Sequence, residues 1–461
     1  MNITPIITII TGDLTRPITA LSDMTGDTGT AMGRSMNTGG IITDRRKGRF
    51  MSTQTLSRTR SLSIPFAVRE KGRHHNPFLD ALTHIEYGRM TLIDPDGNGL
   101  EFSGPEKGPR AFLRLHDWGA LDELVARGEI GFAEAYIDGR WDTNDLPALL
   151  TFGLVNSESL ERFFHGRPWY ALLSHVRSLL HGNSLRGSKR NVMAHYDLGN
   201  DFYALWLDDS MTYSCALFEG DEDRSLEAAQ AAKYRRILEK ISATPGDHIL
   251  EIGCGWGGFA EEAAHYGLKV TGVTLSREQA TYARERLYCA GLQHLASIEL
   301  ADYREVTGQF DHIVSIGMFE HVGEPYWPVY FDTVKKHLKP GGNALVQSIT
   351  LDDYLFESLH DCNGFIEQVI FPGGMLPSKS RFYEEIARAG LECRRMSTFG
   401  QDYVRTLRHW LSRFEERKTE VKGLGYDEKF LRLWRFYLAS CIASFISHRT
   451  DVMQAELVHA A

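Results

Sequence analysis

From residue 195 onward, short continuous apolar runs alternate with stretches whose apolar residues recur every three or four positions. HILEIGCGWGG (248–258) reads as a strand entering a glycine-rich turn, and FAEEAAHYG (259–267) as the helix after it. KVTGVTLS (269–276) reads as a second strand, SREQATYARERLYCAG (276–291) as a helix and SIELADY (297–303) as a third strand. FDHIVSIGMF (310–319), YFDTVKKHLKPGG (330–342) and NALVQSIT (343–350) continue as strand, helix, strand. Strands alternating with helices predict an α/β domain with a mainly parallel sheet covered on both faces. Such sheets take ligands at the carboxyl ends of their strands.

Other regions have a different texture. MTLIDPDGNGLEFSGPEKGPRAFLRL (90–115) alternates short β-like runs with Asp-Gly, Asn-Gly and Pro-rich turns, and WGALDELVARG and LPALLTFGLV then read as amphipathic helices. That pattern predicts a small α+β domain ahead of the sheet. Residues 1–60, rich in Thr, Ser, Gly and Arg, read as disordered or as an upstream extension, with Met51 as an alternative start. The expected boundaries are 1–60, 75–185 for the small domain, 190–447 for the α/β domain, and a tail over 448–461. Within it, 404–447 reads as helical and carries Arg405, Arg408, Arg413, Arg417, Lys418, Lys422, Lys429, Arg432 and Arg435.

Composition narrows the functional classes. The 461 residues are 43% apolar and 24% charged, which excludes a mostly disordered, collagen-like or polytopic membrane chain. A net charge of −9 gives no global attraction to nucleic acid. Cys215, Cys254, Cys289, Cys362, Cys393 and Cys441 form no C-x-x-C pair, which indicates a reducing cytoplasm and no metal site. No apolar run approaches the ~18 residues of a spanning helix, and the start lacks the basic flank of a secretory signal.

The turn LEIGCGWGG (250–258) carries the first chemistry. Gly253, Gly255 and Gly257 allow close backbone approach, while Glu251 stands two positions before the first glycine and the loop has no basic residue. That charge pattern suits a cationic sulfonium such as S-adenosylmethionine better than a pyrophosphate. At the second strand's end Thr274, Ser276 and Gln279 replace the acid a dinucleotide fold presents; Ser276 also reads as a helix N-cap. Asp302 closes the third strand. Upstream, AHYDLGNDFYALWLDDSMTYSCALFEG (194–220) gathers His195, Tyr196, Asp197, Asn200, Tyr213 and Cys215, either as a lid over the cofactor or as aromatic core.

HYDLGNDFYALWLDDSMTYSCALFE, LEIGCGWGGFA, GVTLSREQ, VSIGMFEHVGEPYWPVYF, IFPGGMLPS and DYVRTLRHWLSRF, in this order over roughly 195–447, resemble the cyclopropane-fatty-acyl-phospholipid synthases and mycolic acid cyclopropane synthases. GFAEAYIDGRWDT (131–143) is similar to the N-terminal domain of the phospholipid enzymes. The resemblance implies a Rossmann-like class I methyltransferase domain over 190–447 and an N-terminal lipid-associated or dimerisation domain over 75–185. It implies a cytoplasmic enzyme, peripheral at the inner face of the membrane. That enzyme uses S-adenosylmethionine to cyclopropanate cis double bonds of phospholipid acyl chains, and a homodimer is implied.

By motif, the resemblance assigns Tyr213, Ser214, Gly253, Gly255, Thr274, Leu275, Gln279, Asp302 and Tyr303 to the cofactor. It assigns Cys215, Glu320, Tyr403 and the Ile349 backbone to a bound bicarbonate base. The family's His falls on Gln347, which hydrogen-bonds but cannot carry charge or take a proton. Bicarbonate would then bind with weaker electrostatic help, or the reaction would end in a methyl- or methylene-branched chain. A small-molecule methyltransferase and a lipid-binding protein that has lost the chemistry stay open beside it. Each assigned residue also has a structural role open to it: Cys215 as a buried hydrophobe, Glu320 bonding backbone, Tyr403 at an interface. Membrane contact is expected through the basic, aromatic stretch 155–190 and the Arg-rich helical segment, and YLFESLHDCNGFIEQVIFPGG (354–374) is expected to line an acyl tunnel.

Overall fold

The computed structural model describes residues 76–160, 198–359 and 375–461. The expectations for 1–60, for His195, Tyr196 and Asp197, for nearly all of 155–190 and for 360–374 lie outside the described residues.

A small sheet comes first: β1 (Tyr87–Ile93), β2 (Gly99–Ser103), β3 (Glu106–Leu115) and β4 (Trp141–Asp142), in the order β2-β1-β3-β4. The β1–β2 turn is set by Asp94, whose carboxylate accepts from the amides of Asp96 and Asn98. Along β1 buried and exposed positions alternate, as a sheet with one covered face requires. The helices Gly119–Ile137 and Leu146–Val155 supply apolar residues to that core.

The larger sheet has seven strands: β5 (His248–Ile252), β6 (Lys269–Thr274), β7 (Ala296–Leu300), β8 (Phe310–Ile316), β9 (Leu338–Leu351), β10 (Leu391–Thr398) and β11 (Thr450–His459). Their order is β10-β11-β9-β8-β5-β6-β7, with only β11 antiparallel to its neighbours. Burial is nearly unbroken along β5 and β8, as in strands covered on both faces. The fold class is α/β with a mainly parallel sheet. The chain builds β6 and β7 outward from β5, then returns to lay β8 on its other side. That reversal opens a crevice at the carboxyl ends of β5 and β8. Ser225, Ser276 and Asp427 cap the helices that follow them, each side chain accepting a backbone amide.

One expectation needs correction. The segment 448–461 is no tail, because Thr450–His459 forms β11 between β9 and β10. A strand buried on both faces needs no alternation, and VMQAELV further hides its nature behind Gln454, which is fully buried opposite Gln347. Most of the cations on the Arg-rich helices have partners within the protein. Arg413 pairs with Glu227, Arg417 with Glu420, Lys422 with Glu428, Lys429 with Asp138 and Arg435 with Glu415, while Arg405 donates to the carbonyls of Asp221 and Glu222. Arg432 reaches the Tyr136 and Trp141 carbonyls and the Asp142 carboxylate, tying the helix Glu428–Ile446 to the small sheet. These contacts tie the helices to the rest of the fold, while Arg408 and Lys418 stand exposed. Among the described residues no helix is long and apolar enough to cross a membrane.

Leu457 of β11 has no exposed surface. Leu457→Ala should lower unfolding free energy by about 2–4 kcal/mol through lost burial and a residual cavity. Urea denaturation followed by circular dichroism measures it, and a change near zero would detach β11 from the cooperative core.

Candidate active site

The turn after β5 builds the first wall of the crevice. Gly253 has φ +83°, and a Cβ there would lie 2.6 Å from Met318 Cγ, so no larger residue fits without strain. The amides of Gly253 and Cys254 both donate to the Val273 carbonyl at 3.0 Å, lashing the turn to β6. A cleft of about 720 Å³ opens above it. Its lining brings together every cofactor candidate: Tyr213, Ser214, Gly253, Gly255, Thr274, Leu275, Gln279, Asp302 and Tyr303. Thr274 Oγ1 donates to Gln279 Oε1 at 2.9 Å, so β6 fixes the orientation of that amide. Ser276 serves as the N-cap, accepting the Gln279 amide at 3.2 Å. Arg304 binds Asp302 through its backbone and side chain and holds that carboxyl below the usual carboxylate range.

Glu251 and His321 also line the cleft. Glu251 is buried, its Oε2 has no partner, and desolvation raises its pKa to about 8. Desolvation lowers His321 to about 4, so its imidazole is neutral near pH 7.

A second, much smaller chamber lies beside the cleft. Cys215, Glu320, Gln347, Ile349 and Tyr403 line it together with Tyr213, Ser214, Gly317, Ser348 and Val452. All five catalytic candidates therefore meet at one cavity, although they come from four separate parts of the chain. Its volume, about 10 Å³, is that of roughly one water. Tyr213, Ser214 and Gly317 line both chambers and form a shared wall.

The helix Gly400–Glu416 brings the pieces into register. Asp402 accepts the Phe218 and Glu219 amides at 2.7 and 3.2 Å, and Thr406 Oγ1 accepts the Ala216 amide at 3.1 Å. Tyr403, between these two anchors in sequence, is thereby fixed relative to the loop of Cys215. Glu320, in the turn after β8, accepts the Ile349 amide through Oε1 at 2.7 Å, while Oε2 has no partner. Burial raises Glu320 to about 7 and pushes the Cys215 thiol and Tyr403 phenol far above their ordinary values. The cavity therefore holds two protonated donors and one carboxyl near neutrality. The Cys215 thiol donates to the Ala216 carbonyl at 3.2 Å.

Sequence reasoning missed Lys233. This lysine is fully buried on the helix Leu226–Lys240 and donates to Ser214 Oγ at 2.7 Å, while Gln230 holds the Ser214 carbonyl at 3.0 Å. Desolvation lowers its pKa to about 7. The signal was available: Leu226, Gln230, Lys233 and Ile237 follow helical spacing on a buried face, so two polar residues stand at core positions.

Comparison with known proteins follows this geometry. Residues 183–455 match the mycolic acid cyclopropane synthetase family. The chain belongs to that family. It is similar to the tuberculostearic acid methyltransferase UfaA1 of Mycobacterium tuberculosis, 37% identical over 82% of this chain and 88% of the relative. It is similar to the cyclopropane-fatty-acyl-phospholipid synthase of Escherichia coli, 36% identical over 79% and 90%. Among solved structures, the cyclopropane synthase MmaA2 from Mycobacterium tuberculosis superposes with a TM-score of 0.54 at 35% identity, covering 58% of this chain and 97% of that one.

Glu320 generates a pH prediction. Its folded pKa of about 7 lies above the ordinary 4.5, so the folded state holds the proton more tightly. The stabilisation this gives is complete below pH 4.5 and is lost as pH rises through 7. Glu320→Gln removes that loss and should gain on the parent by about 3 kcal/mol between pH 4.5 and 8. Urea denaturation of both proteins across this range tests it; a constant difference would place the Glu320 pKa near its ordinary value.

Proposed function

We propose that this family member transfers the methyl group of S-adenosylmethionine to a cis double bond of a phospholipid acyl chain and closes a cyclopropane ring. The observation that carries this is the wall of Tyr213, Ser214 and Gly317 shared by a large cleft and a small chamber of proton-handling groups. A methyl donor and a proton acceptor must flank the same carbon in such a reaction, and adjoining chambers provide that.

The cleft's chemistry fits the donor. The unpartnered Glu251 Oε2 offers a buried carboxyl to a cation, and the Asp302 carboxylate offers acceptors for hydroxyls. When bound, S-adenosylmethionine supplies an electrophilic methyl: its S–C bond breaks toward sulfur, the alkene's π pair forms a new C–C bond, and a C–H pair of the transferred carbon closes the ring as one proton leaves. Glu320, near neutrality, can receive that proton. Cys215 and Tyr403 stay protonated, the thiol donating to the Ala216 carbonyl and the phenol available as a donor. Tyr213 packs against Trp206 and Trp410 with ring centroids 5.4 and 5.2 Å apart, excluding water and presenting π faces to positive charge.

Gln347 and Tyr403 also offer donors to a small anion, with Cys215 lining the same cavity, so bicarbonate is included in this proposal as a base those residues would hold. The chamber's volume is that of about one water, so bicarbonate must widen it on entry. Peripheral contact with the inner membrane face and homodimerisation belong to the same proposal. Leu275 and Tyr326, 69% and 53% exposed on the cleft lining, offer apolar edges for lipid contact.

A second reading, C-methylation leaving a methylene branch, is favoured by Gln347 in place of the family His and by the likeness to a relative named as a methyltransferase. Full-length protein, S-adenosylmethionine and vesicles of a cis-monounsaturated phosphatidylglycerol separate the two. The expected result is a gain of one CH₂ per chain with high-field cyclopropane proton resonances; olefinic methylene resonances would favour branching. Glu320→Gln should lower turnover by about 10²-fold or more. Donor binding without any gain in acyl mass would overturn the proposal.

A further inference from the structure

Gln347 is the member of the chamber that the sequence marked as a departure, and its surroundings say what it does. It pairs across the sheet with Gln454 of β11, whose Nε2 donates to Gln347 Oε1 at 3.0 Å. Gln454 Oε1 in turn accepts from Arg236 Nε at 3.0 Å. Arg236, on the helix Leu226–Lys240, is half-buried, with its guanidinium 4.5 Å from the centre of the Phe399 ring. Its Nη2 is enclosed without a hydrogen-bond partner among the described residues.

The direction of this chain follows from chemistry. A guanidinium has five donors and no acceptor, so it can meet Gln454 only at the amide oxygen. Gln454 must then turn its NH₂ toward Gln347, and Gln347 must answer with its oxygen. What Gln347 has left is its own NH₂, on a residue that lines the chamber. A buried cation thus polarises two amides in series and fixes the last one as a donor.

We propose that Arg236 and Gln454 are positioning residues that lock the Gln347 amide so that it donates into the chamber, making the chamber a site for a small oxyanion. This rests on the reading of the chamber given under Proposed function, and deepens it: the relay supplies a fixed N–H where the resembling enzymes have His. The relay also accounts for two glutamines side by side in the sheet interior, which would otherwise be a costly place for amides.

The test uses full-length protein and ¹³C-labelled bicarbonate, with binding followed by NMR titration in carbonate-free buffer without lipid. Gln454→Glu is the decisive variant. Its carboxylate accepts from Arg236 with one oxygen and requires a donor from Gln347 at the other, so the Gln347 amide flips and turns its carbonyl to the chamber. Bicarbonate affinity should fall at least tenfold, while the dissociation constant for S-adenosylmethionine stays within threefold of the parent. Arg236→Met should weaken bicarbonate three- to tenfold, Arg236→Lys should restore most of the loss, and both remain informative if Gln454→Glu fails to fold. Equal bicarbonate affinity in parent, Gln454→Glu and Arg236→Met overturns the relay, as does a parent that binds no bicarbonate. Lipid conversion by the parent is scored separately. Conversion with unaltered anion binding in the variants leaves the function standing without the relay. Weakened anion binding in a protein that converts no lipid supports the relay and overturns the function.

Discussion

The hydrogen bond from the Ile349 amide to Glu320 Oε1, 2.7 Å long and fully buried, is the contact on which the small chamber depends. It joins the turn after β8 to the end of β9, two neighbours that diverge at their carboxyl ends. A carboxyl brought this deep must be neutralised, hydrogen-bonded or paired. Here one oxygen is satisfied, the other is left open beside the cavity, and the proton affinity rises to near neutrality as a consequence of where the group sits. The stability cost of the site and its capacity to take up a proton have the same origin in desolvation.

Burial alone would scatter the remaining groups. Cys215 and Tyr403 are 188 positions apart, and their meeting depends on backbone amides of 216–219 captured by Asp402 and Thr406. These anchors bracket Tyr403 on one helical turn, so any register error in the helix would displace the tyrosine and the cysteine together. The neighbouring Tyr213 is fastened from the opposite side by a 2.7 Å contact between its hydroxyl and that of Tyr437. The shared wall is therefore held at both ends by elements from the last third of the chain.

Much of this was legible in the sequence, and the losses have physical causes. β5 to β9 announced themselves because their apolar runs are bounded by glycine turns and amphipathic helices, and local periodicity suffices for such strands. β10 and β11 escaped because LECRRMST and TDVMQAELVH follow neither rule: one is a half-exposed strand at the sheet's edge, the other a doubly buried one interrupted by Gln454. The basic helices conceal their partners for a related reason. Arg and Lys at 405–435 look solvated in one dimension, and only tertiary contact reveals that Asp138, Asp142, Glu227 and Glu415 are their partners. Site residues brought in by motif resemblance met at their cavities, and Lys233 left a trace in its helical spacing, whereas Arg236 and Gln454 needed the packed structure, since their roles consist of contacts with each other and with Gln347.

The two chambers differ in charge preference, and the difference follows from which polar atoms are left unsatisfied. Behind the cleft the buried Lys233 donates to Ser214 Oγ and its proton affinity is lowered toward neutrality, while in the cleft Glu251 keeps an oxygen without a partner among the described residues. An arriving cation would favour the charged carboxylate and so strengthen its own site. In the chamber the Tyr403 phenol keeps its proton, the Cys215 thiol donates to the Ala216 carbonyl, and the Gln347 amide accepts from Gln454, which leaves its NH₂ to donate. Under the proposed function, a cation-favouring cleft and a donor-bearing cavity would meet at Tyr213, Ser214 and Gly317, which line both. A carbon held there would gain positive charge on the side of the cleft and shed a proton on the side of the cavity.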